Sequence, residues 1–323
     1  MSIVEFERQA YPLESGESVL ECLERHGQAI PNSCRSGVCH SCLMRAESGE
    51  LPPDSQKGLS EARRLQGYFL SCRCMPDADL VVARADDAGA RIAVTLVSKA
   101  ALNHRVLRVV LKAERPVSYF PGQFVNFVRA DGLVRSFSLA SVPALDEHLE
   151  FHVALVAGGQ MSGWLHHEAG DGTSLELMGP LGNCFYTPGK AEQPLFLLGT
   201  GTGLAPLYAI VRDALHQGHS GPIHLFHGSL AAQDLYLSEE LRAMSAASDN
   251  FFYHACVRDE AGEDWMTQGA VDAVALATVP NLKGWKVFLC GNPDLVKQVQ
   301  RKTFMAGASM QDIHADAFLP AKS

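Results

Sequence analysis

The chain has 323 residues, with 27 Lys and Arg against 36 Asp and Glu, so its formal net charge is −9 at pH 7. At about 150 residues per domain, this length suggests two domains or three small ones. The apolar fraction of 47% is enough to form a core, which argues against general disorder. The acidic balance argues against nucleic acid or an anionic membrane surface as the main partner.

The sequence suggests neither export nor a membrane anchor. Residues 1–15 lack a basic segment followed by an apolar one, so they do not resemble a secretory signal. Residues 193–211 carry no charge, but their three glycines and two prolines favour a buried strand, a turn and a helix over a membrane span. We therefore expect a cytoplasmic protein, in which clustered cysteines are metal ligands or redox groups rather than disulfides.

The pattern of elements changes twice along the chain. Five of the nine cysteines lie between positions 34 and 74, which predicts a small N-terminal domain followed by a linker at residues 84–91. Short strands between Gly and Pro turns then predict a barrel or sandwich, and alternating strands and helices predict a parallel sheet. The predicted strands are 92–97, 106–111, 124–128, 137–140, 149–156, 195–198, 223–227, 251–257 and 287–290, and the helices are 204–216, 235–245, 269–277 and 293–306.

Four N-terminal cysteines have a spacing that is typical of an iron–sulfur site. Cys34, Cys39 and Cys42 form a C-x4-C-x2-C run, and Cys72 follows 30 positions later. This is the spacing of plant-type [2Fe–2S] ligands. The chemistry requires four thiolates around two irons, and Gly37 permits the loop to wrap around them. The sequence predicts a [2Fe–2S] cluster on these four cysteines.

Two other interpretations of the cysteines remain. A zinc site could combine Cys39 and Cys42 with Cys72 and Cys74, but this pairing leaves Cys34 unused. Alternatively, the cysteines could be free thiols in the core. Cys74 has no place in the cluster spacing, and its role is open.

Two segments in the middle of the chain suit a phosphate-bearing ligand. Arg135 precedes Ser138 by three residues after a predicted strand, and its guanidinium could grip a pyrophosphate. Gly158, Gly159 and Ser162 come before a helical stretch, where backbone N–H groups form an anion site. Read alone, Arg135 could instead form a surface ion pair, and the two glycines could form a hairpin turn.

A glycine-rich segment joins a predicted strand to a predicted helix. Glycines at this place let the backbone approach a pyrophosphate. The strict G-x-G-x-x-G pattern is absent because Leu204 occupies the position of the third glycine, so a simple turn remains an alternative. The residues of the turn are Gly199, Thr200, Gly201, Thr202 and Gly203.

Taken together, these motifs resemble the ferredoxin–NADP reductase superfamily over essentially the whole chain. They are most similar to the single-chain reductases of bacterial multicomponent oxygenases, such as phenol hydroxylase and aromatic dioxygenase reductases. The resemblance implies a multidomain α+β and α/β protein. Its parts would be a β-grasp [2Fe–2S] ferredoxin (1–84), a six-stranded antiparallel FAD-binding β-barrel (90–190) and a parallel-sheet NAD-binding domain (191–323).

The resemblance also implies roles for residues of the flavin motif. Arg135 would bind the FAD pyrophosphate, Phe137 would pack against the isoalloxazine, and Ser138 would hydrogen-bond near its reactive nitrogen. Phe137 stands where the family usually has Tyr, so one hydroxyl hydrogen bond to the flavin is lost. The other residues assigned to the flavin site are Ser136, Ser141, Gly158, Gly159, Met161 and Ser162.

For the nicotinamide domain, the resemblance adds Pro206 to the glycine turn and a Cys-Gly-x-Pro motif at Cys290, Gly291 and Pro293. Cys290 would lie near the nicotinamide, at the carboxyl end of its strand. Phe318 would be the aromatic residue that covers the flavin. Ser138, Cys290 and Phe318 are accordingly the predicted catalytic residues.

The function implied by the resemblance is electron transfer from NADH through FAD and the [2Fe–2S] cluster to a partner oxygenase or another protein acceptor, by a monomer. A second interpretation keeps the cofactors and makes a deoxysugar dehydrase the acceptor. A third is a redox-sensing binding module without turnover, which stoichiometric cofactors and NADH-driven acceptor reduction would exclude.

The sequence also favours NADH over NADPH. A 2′-phosphate requires a cation near the end of the second strand of the nicotinamide domain. That strand ends near residue 230, and Asp234, Glu239 and Glu240 precede the next basic residue, Arg242. Arg258 is the residue that could supply a cation from another loop.

Overall fold

The computed structural model describes residues 2–59, 61–85, 91–259 and 262–318. Contacts divide the chain into two compact units, Met1–Gly89 and Ala90–Ser323. Most of the predicted linker, residues 86–90, lies outside the described residues. Within the described ranges, no helix is both long and apolar enough to cross a membrane.

The N-terminal unit is a five-stranded mixed sheet with a helix packed on it. Its strand order is β2-β1-β5-β3-β4, and β1 pairs with β5 in parallel. Ser18 and Glu21 form a capping box that starts the first helix, whose buried face includes Leu20 and Leu23. The strands are β1 (Ile3–Phe6), β2 (Gln9–Pro12), β3 (Leu43–Ser48), β4 (Tyr68–Leu70) and β5 (Leu80–Arg84), and the helices are α1 (Val19–Arg25) and α2 (Glu61–Leu65).

The C-terminal unit begins with a six-stranded antiparallel sheet in the order β10-β7-β6-β11-β8-β9. A bridge between Leu139 and Phe151 joins its two edges and closes the sheet into a barrel. Along the first strand Ile92, Val94 and Leu96 are buried and alternate with exposed residues, so one face lines the core. The elements are β6 (Ile92–Ala101), β7 (Val106–Ala113), β8 (Phe124–Val128), β9 (Val134–Ser138), β10 (Leu149–Ala154), α3 (Gln160–His167) and β11 (Ser174–Leu181).

A parallel six-stranded sheet follows, in the order β15-β14-β13-β12-β16-β17. The chain winds outward from β12 to β15 and then returns to β16 on the other side. The switch therefore lies between β12 and β16, and α/β sheets bind ligands beyond the carboxyl ends of strands at such a point. The elements are β12 (Leu195–Thr200), α4 (Leu204–His216), β13 (Ile223–Ser229), α5 (Ser238–Ala247), β14 (Phe251–Val257), β15 (Met266–Gln268), α6 (Val271–Thr278), β16 (Lys286–Gly291), α7 (Pro293–Met305) and β17 (Ile313–Ala317).

Several predicted bounds are wrong. The strand expected at 137–140 is β9, which begins at Val134, and the helix expected at 235–245 is α5, which begins at Ser238. Leu237 adopts a left-handed conformation with φ of 55°, which stops a helix from beginning earlier. In the C-terminal unit, strands β11, β15 and β17 have no counterpart among the predicted elements.

Candidate functional site

The cluster loop, Cys34–Cys42, folds around the sulfur of its first cysteine. Cys34 Sγ accepts hydrogen bonds from the backbone N–H groups of Ser36, Val38 and Cys39, at 3.4, 3.4 and 3.3 Å. Arg35 and Gly37 have φ values of 52° and 83°, and the N–H group that follows each of them points to the Cys34 sulfur. The Ser36 hydroxyl, and then the backbone N–H groups of Ser36 and Cys39, lower the pKa of Cys34 to about 5. The loop therefore favours a thiolate, which is the form that ligates iron.

The four cysteines are arranged as two pairs. Cys39 Sγ accepts from the backbone N–H of Cys34 at 3.5 Å, and the sulfurs of Cys42 and Cys72 lie 3.2 Å apart. Among the residues that the structure describes, no three His, Cys, Asp or Glu side chains converge as ligands of one metal ion. Two pairs suit a [2Fe–2S] cluster, in which each iron takes two protein ligands. The donor set thus fits a [2Fe–2S] cluster.

Cys74, which the zinc alternative requires, belongs to the core of the N-terminal unit. It is fully buried in the hydrophobic cluster that also contains Leu20 and Phe69. Burial raises the pKa of its thiol to about 12. With its thiol protonated in apolar surroundings, Cys74 is a residue that contributes to packing.

Strand β9 carries the flavin motif. Phe137 is half-buried, and its ring centroid lies 4.6 Å from that of Phe127. Ser136 Oγ donates to Asn126 Oδ1 at 2.7 Å. Arg135 donates to the Val134 carbonyl and forms no ion pair in the described part of the chain. The guanidinium of Arg135 is therefore available to an anion, as the flavin interpretation requires.

Ser138, at the end of β9, meets the last strand of the parallel sheet. Its hydroxyl donates to Asp316 Oδ2 at 3.4 Å, and Asp316 pairs in register with Cys290. Burial raises the pKa of Asp316, although the Ser138 hydrogen bond opposes this. The Phe318 N–H donates to the Gly291 carbonyl at 2.9 Å. The three predicted catalytic residues are thus brought together, and Asp316 is a residue that the sequence analysis missed.

Ser141 has a different environment from Ser138. It is fully buried, its hydroxyl is 2.7 Å from the Tyr119 hydroxyl, and it accepts from the Glu150 N–H at 3.0 Å. These bonds join two parts of the barrel wall. Any contribution of Ser141 to a flavin site is therefore through the support of that wall.

The second phosphate segment is the start of a helix and not a hairpin turn. Gly159 is the N-cap of α3, and Ser162 Oγ accepts from the Val156 N–H at 3.3 Å. A Cβ on Gly159 would lie 2.4 Å from Ser162 Oγ, so the turn requires glycine there. Met161 and Ser162 are buried, which leaves the backbone N–H groups of the turn as the donors for an anion.

The glycine-rich turn at residues 199–203, which we call the nucleotide turn, contains glycines with two different roles. A Cβ on Gly203 would lie 2.4 Å from the Cys290 carbonyl oxygen, and one on Gly199 would lie 2.7 Å from Leu207. These two glycines therefore allow close packing of β12, β16 and α4. Gly201, with φ of 55°, has open space around it. Gly201 therefore leaves room for a ligand to approach the backbone.

A cavity of about 650 Å³ lies at the carboxyl ends of β12 and β13. Thr200, Gly201 and Thr202 line it on the side of the nucleotide turn, and Asp234 and Arg258 line it beyond β13. We call it the nucleotide cavity. Its volume is in the range of pockets that hold small molecules.

Cys290 lies at the end of β16 and is 1% exposed. Its Sγ is 3.6 Å from that of Cys184, on the loop after β11. Burial is the main cause that raises the pKa of Cys290, and Cys184 is the next. Gly291 has a φ of 116°, and Pro293 opens α7. Pro206 lies buried in the first turn of α4.

Three family models match successive parts of the chain. They are the 2Fe-2S iron-sulfur cluster binding domain at residues 4–77, the oxidoreductase FAD-binding domain at 93–186 and the oxidoreductase NAD-binding domain at 197–301. The ferredoxin–NAD(P)(+) reductase component of a Pseudomonas putida naphthalene 1,2-dioxygenase system is 32% identical over 96% of this chain and 95% of its own length. The chain belongs to the family of iron–sulfur flavoprotein reductases.

Other relatives agree with this assignment. The reductase subunit of an Amycolatopsis aromatic O-demethylase is 33% identical over 95% of this chain and 96% of its own length. The crystal structure of an Amycolatopsis cytochrome P450 reductase is 31% identical, covers 100% of both chains and has a TM-score of 0.69. The expected architecture, the oxidoreductase activity and the FAD, NAD and [2Fe–2S] cofactors are thereby confirmed.

The geometry shows what the reductase's own residues contribute. When bound, FAD exchanges electrons in pairs or singly and the cluster exchanges them singly, so the protein has to hold and tune these groups. Arg135 and the start of α3 would supply donors for the phosphates of FAD, and Ser138, whose hydroxyl is oriented by Asp316, would lie at the end of β9 beside it.

Proposed function

We propose that this reductase takes electrons from NADH in preference to NADPH and delivers them, as a cytoplasmic monomer, to a terminal oxygenase that acts on an aromatic or hydrocarbon substrate. The proposed ligands of the cluster are Cys34, Cys39, Cys42 and Cys72. The proposed flavin site lies on β9 and at the start of α3, and the proposed nucleotide site lies at the nucleotide turn. The presence of Asp234 in the nucleotide cavity is the observation that carries the choice of NADH.

Asp234 follows β13 closely and its side chain is 28% exposed. The Ala231 N–H donates to its carboxylate at 3.2 Å, which fixes the carboxylate on a short loop. An acidic residue beyond the second strand accepts from a ribose hydroxyl, and it repels a 2′-phosphate carrying about −1.5 to −2 charges. Arg258 also lines the cavity, and its backbone N–H donates to the Ser229 carbonyl at 3.1 Å. The carboxylate of Asp234 therefore disfavours the 2′-phosphate of NADPH, whereas the guanidinium of Arg258 favours it.

Steady-state kinetics with both coenzymes test this choice. We expect kcat/KM to be at least about tenfold higher with NADH, which corresponds to about 1.4 kcal/mol. Asp234→Asn should reduce this ratio because it removes the repulsive charge. Arg258→Ala is the matched variant, and it should preserve or increase the ratio. An equal or higher kcat/KM with NADPH in the unaltered protein would contradict the proposal.

The names of the relatives support an oxygenase as acceptor. They include the electron transfer component of a Pseudomonas putida toluate 1,2-dioxygenase, 31% identical over 94% of this chain, and the reductase component of a phenol 2-monooxygenase, 28% identical over 96%. NADH-driven turnover of candidate oxygenases, reconstituted with this reductase, tests the assignment. Turnover of a deoxysugar dehydrase but of no oxygenase would favour the second interpretation. Light scattering of the purified protein tests the monomer.

A further inference from the structure

The nucleotide cavity has a wall that comes from the barrel. The turn between β6 and β7 contributes Asn103 and Arg105, and the end of β10 contributes Ala154. These residues line the same cavity as Thr200 and Gly201 of the nucleotide turn. A dinucleotide in this cavity would therefore contact both parts of the C-terminal unit.

The barrel turn is held in a fixed conformation. Asn103 Oδ1 accepts from the N–H groups of Arg105 and Val106 at 2.9 and 2.8 Å. The Leu155 N–H donates to the Arg105 carbonyl at 2.8 Å. Asn103 Nδ2 donates to the Asp234 carbonyl at 2.8 Å, which joins this turn to the loop beyond β13. These hydrogen bonds thus fix the backbone of Arg105 relative to the cavity.

The carboxylates that line the nucleotide cavity have other partners, which leaves Arg105 available to a ligand. Asp272 receives hydrogen bonds from Lys302 Nζ at 2.6 Å and Gln298 Nε2 at 3.0 Å, and Asp234 lies 3.5 Å from His104 Nε2. In the described ranges the Arg105 guanidinium has neither an ion pair nor a side-chain hydrogen bond, and the residue is exposed. A guanidinium without a carboxylate partner, in the same cavity as Thr200 and Gly201, suits a phosphate group.

We propose that Arg105 is a further dinucleotide-binding residue, which binds the pyrophosphate of NADH from the barrel side of the nucleotide cavity. The inference rests on the proposed role of the nucleotide turn, which would bind the same pyrophosphate through its backbone. Asn103 is a positioning residue that holds the Arg105 backbone in place. Since the pyrophosphate is common to both coenzymes, Arg105 contributes to affinity and not to the choice between NADH and NADPH.

Calorimetric titration of the FAD-loaded protein with ADP-ribose tests the proposal directly. In Arg105→Ala the Kd for ADP-ribose should rise about tenfold or more, as expected for the loss of a charge-assisted hydrogen bond. Arg105→Lys should recover part of the affinity, because it retains the charge without the guanidinium geometry. Arg115→Ala removes another exposed arginine of the barrel and is the matched control.

Two further readouts separate a phosphate contact from a structural effect. The inhibition constant of adenosine, which has no phosphate, should be the same in Arg105→Ala as in the Arg115→Ala control. KM for NADH should rise while kcat and the NADH to NADPH ratio stay unchanged. An unchanged Kd for ADP-ribose, or an equal loss of adenosine binding, would overturn the assignment, whichever coenzyme the reductase prefers. If Arg105→Ala loses FAD, Arg105→Gln takes its place in the same titrations.

Discussion

The cluster loop and the nucleotide cavity are built in opposite ways. In the cluster loop, nine consecutive residues supply three of the four sulfurs and the N–H groups that bond to them. In the nucleotide cavity, the lining comes from segments that lie far apart in the chain, such as Arg105, Gly201, Asp234 and Arg258. Ligands that bond covalently to a metal impose a spacing on the sequence, whereas a surface that binds a coenzyme only requires that the fold bring its parts together.

The largest expected effect comes from a substitution in the cluster loop, which should leave the C-terminal unit unaffected. Cys39→Ser should remove or weaken the cluster, because thiolate is the favoured ligand for iron–sulfur centres. Since the C-terminal unit has its own cores, the variant should retain FAD and reduce ferricyanide with NADH. It should lose most of the reduction of cytochrome c or of an oxygenase. Iron content, the visible spectrum and both activities measure this.

Cys74→Ala is the control for that experiment, and it should keep the cluster because Cys74 belongs to the core. Loss of both activities with FAD still bound would mean that the cluster supports the flavin step. Undiminished reduction of a protein acceptor without a cluster would mean that electrons leave from the flavin directly.

The next effect concerns the packing beneath the nucleotide cavity. Gly203→Ala places a Cβ 2.4 Å from the Cys290 carbonyl, so the backbone must shift. We expect a destabilisation of about 1–3 kcal/mol and a loss of NADH-dependent activity. Gly163→Ala, in α3, meets nothing within 4 Å and should be neutral or stabilising. Thermal unfolding and kcat/KM report both variants, and a Gly203→Ala protein with normal stability would contradict the packing role.

Acid should distinguish the two units. Burial lowers the pKa of His227 from 6.5 to about 3, so its contribution to stability is present above pH 6.5 and is lost as the pH falls toward 3. In the N-terminal unit, Arg25 lowers the pKa of Glu17 from 4.5 to about 2, and that contribution is lost only below pH 4.5. Between pH 7 and 5, calorimetry should therefore show the C-terminal unit losing stability first.

His227→Phe should reduce the slope of that pH dependence, since the free energy of unfolding of the variant no longer contains the protonation of His227. Part of the slope should remain, because burial also lowers the pKa of His254, to about 4. His216→Gln, at an exposed position, should leave the slope unchanged. Equal slopes in the unaltered protein and in His227→Phe would show that other groups cause the acid sensitivity.

The smallest effect tests the flavin motif. Phe137→Tyr restores the hydroxyl that the family usually has, and a new hydrogen bond contributes about 0.5–1.5 kcal/mol. We expect the Kd for FAD to fall by up to about tenfold, with little change in the fold, because the ring can keep its contact with Phe127. Fluorescence titration of the apoprotein with FAD measures this. Weaker binding of FAD by the variant would contradict this prediction, because it would mean that the new hydroxyl lies in an apolar environment.

The sequence by itself determined the elements that have strong local patterns. The helix expected at 204–216 and the strands expected at 124–128 and 251–257 have these bounds in the structure. The cysteine spacing predicted the cluster because metal–thiolate geometry tolerates few alternatives. Strand β17 has too weak an apolar pattern to be predicted, since Ile313–Ala317 lies at a sheet edge and is only partly buried.

Only the tertiary structure decided which distant groups meet. Asp316 has no motif of its own, and it meets Ser138 of the proposed flavin site because β17 pairs with β16. Arg105 lines the nucleotide cavity because the barrel turn is bonded to the loop of Asp234. Such contacts depend on side chains that the packing of two sheets brings together, and the spacing of residues along the chain carries no record of that packing.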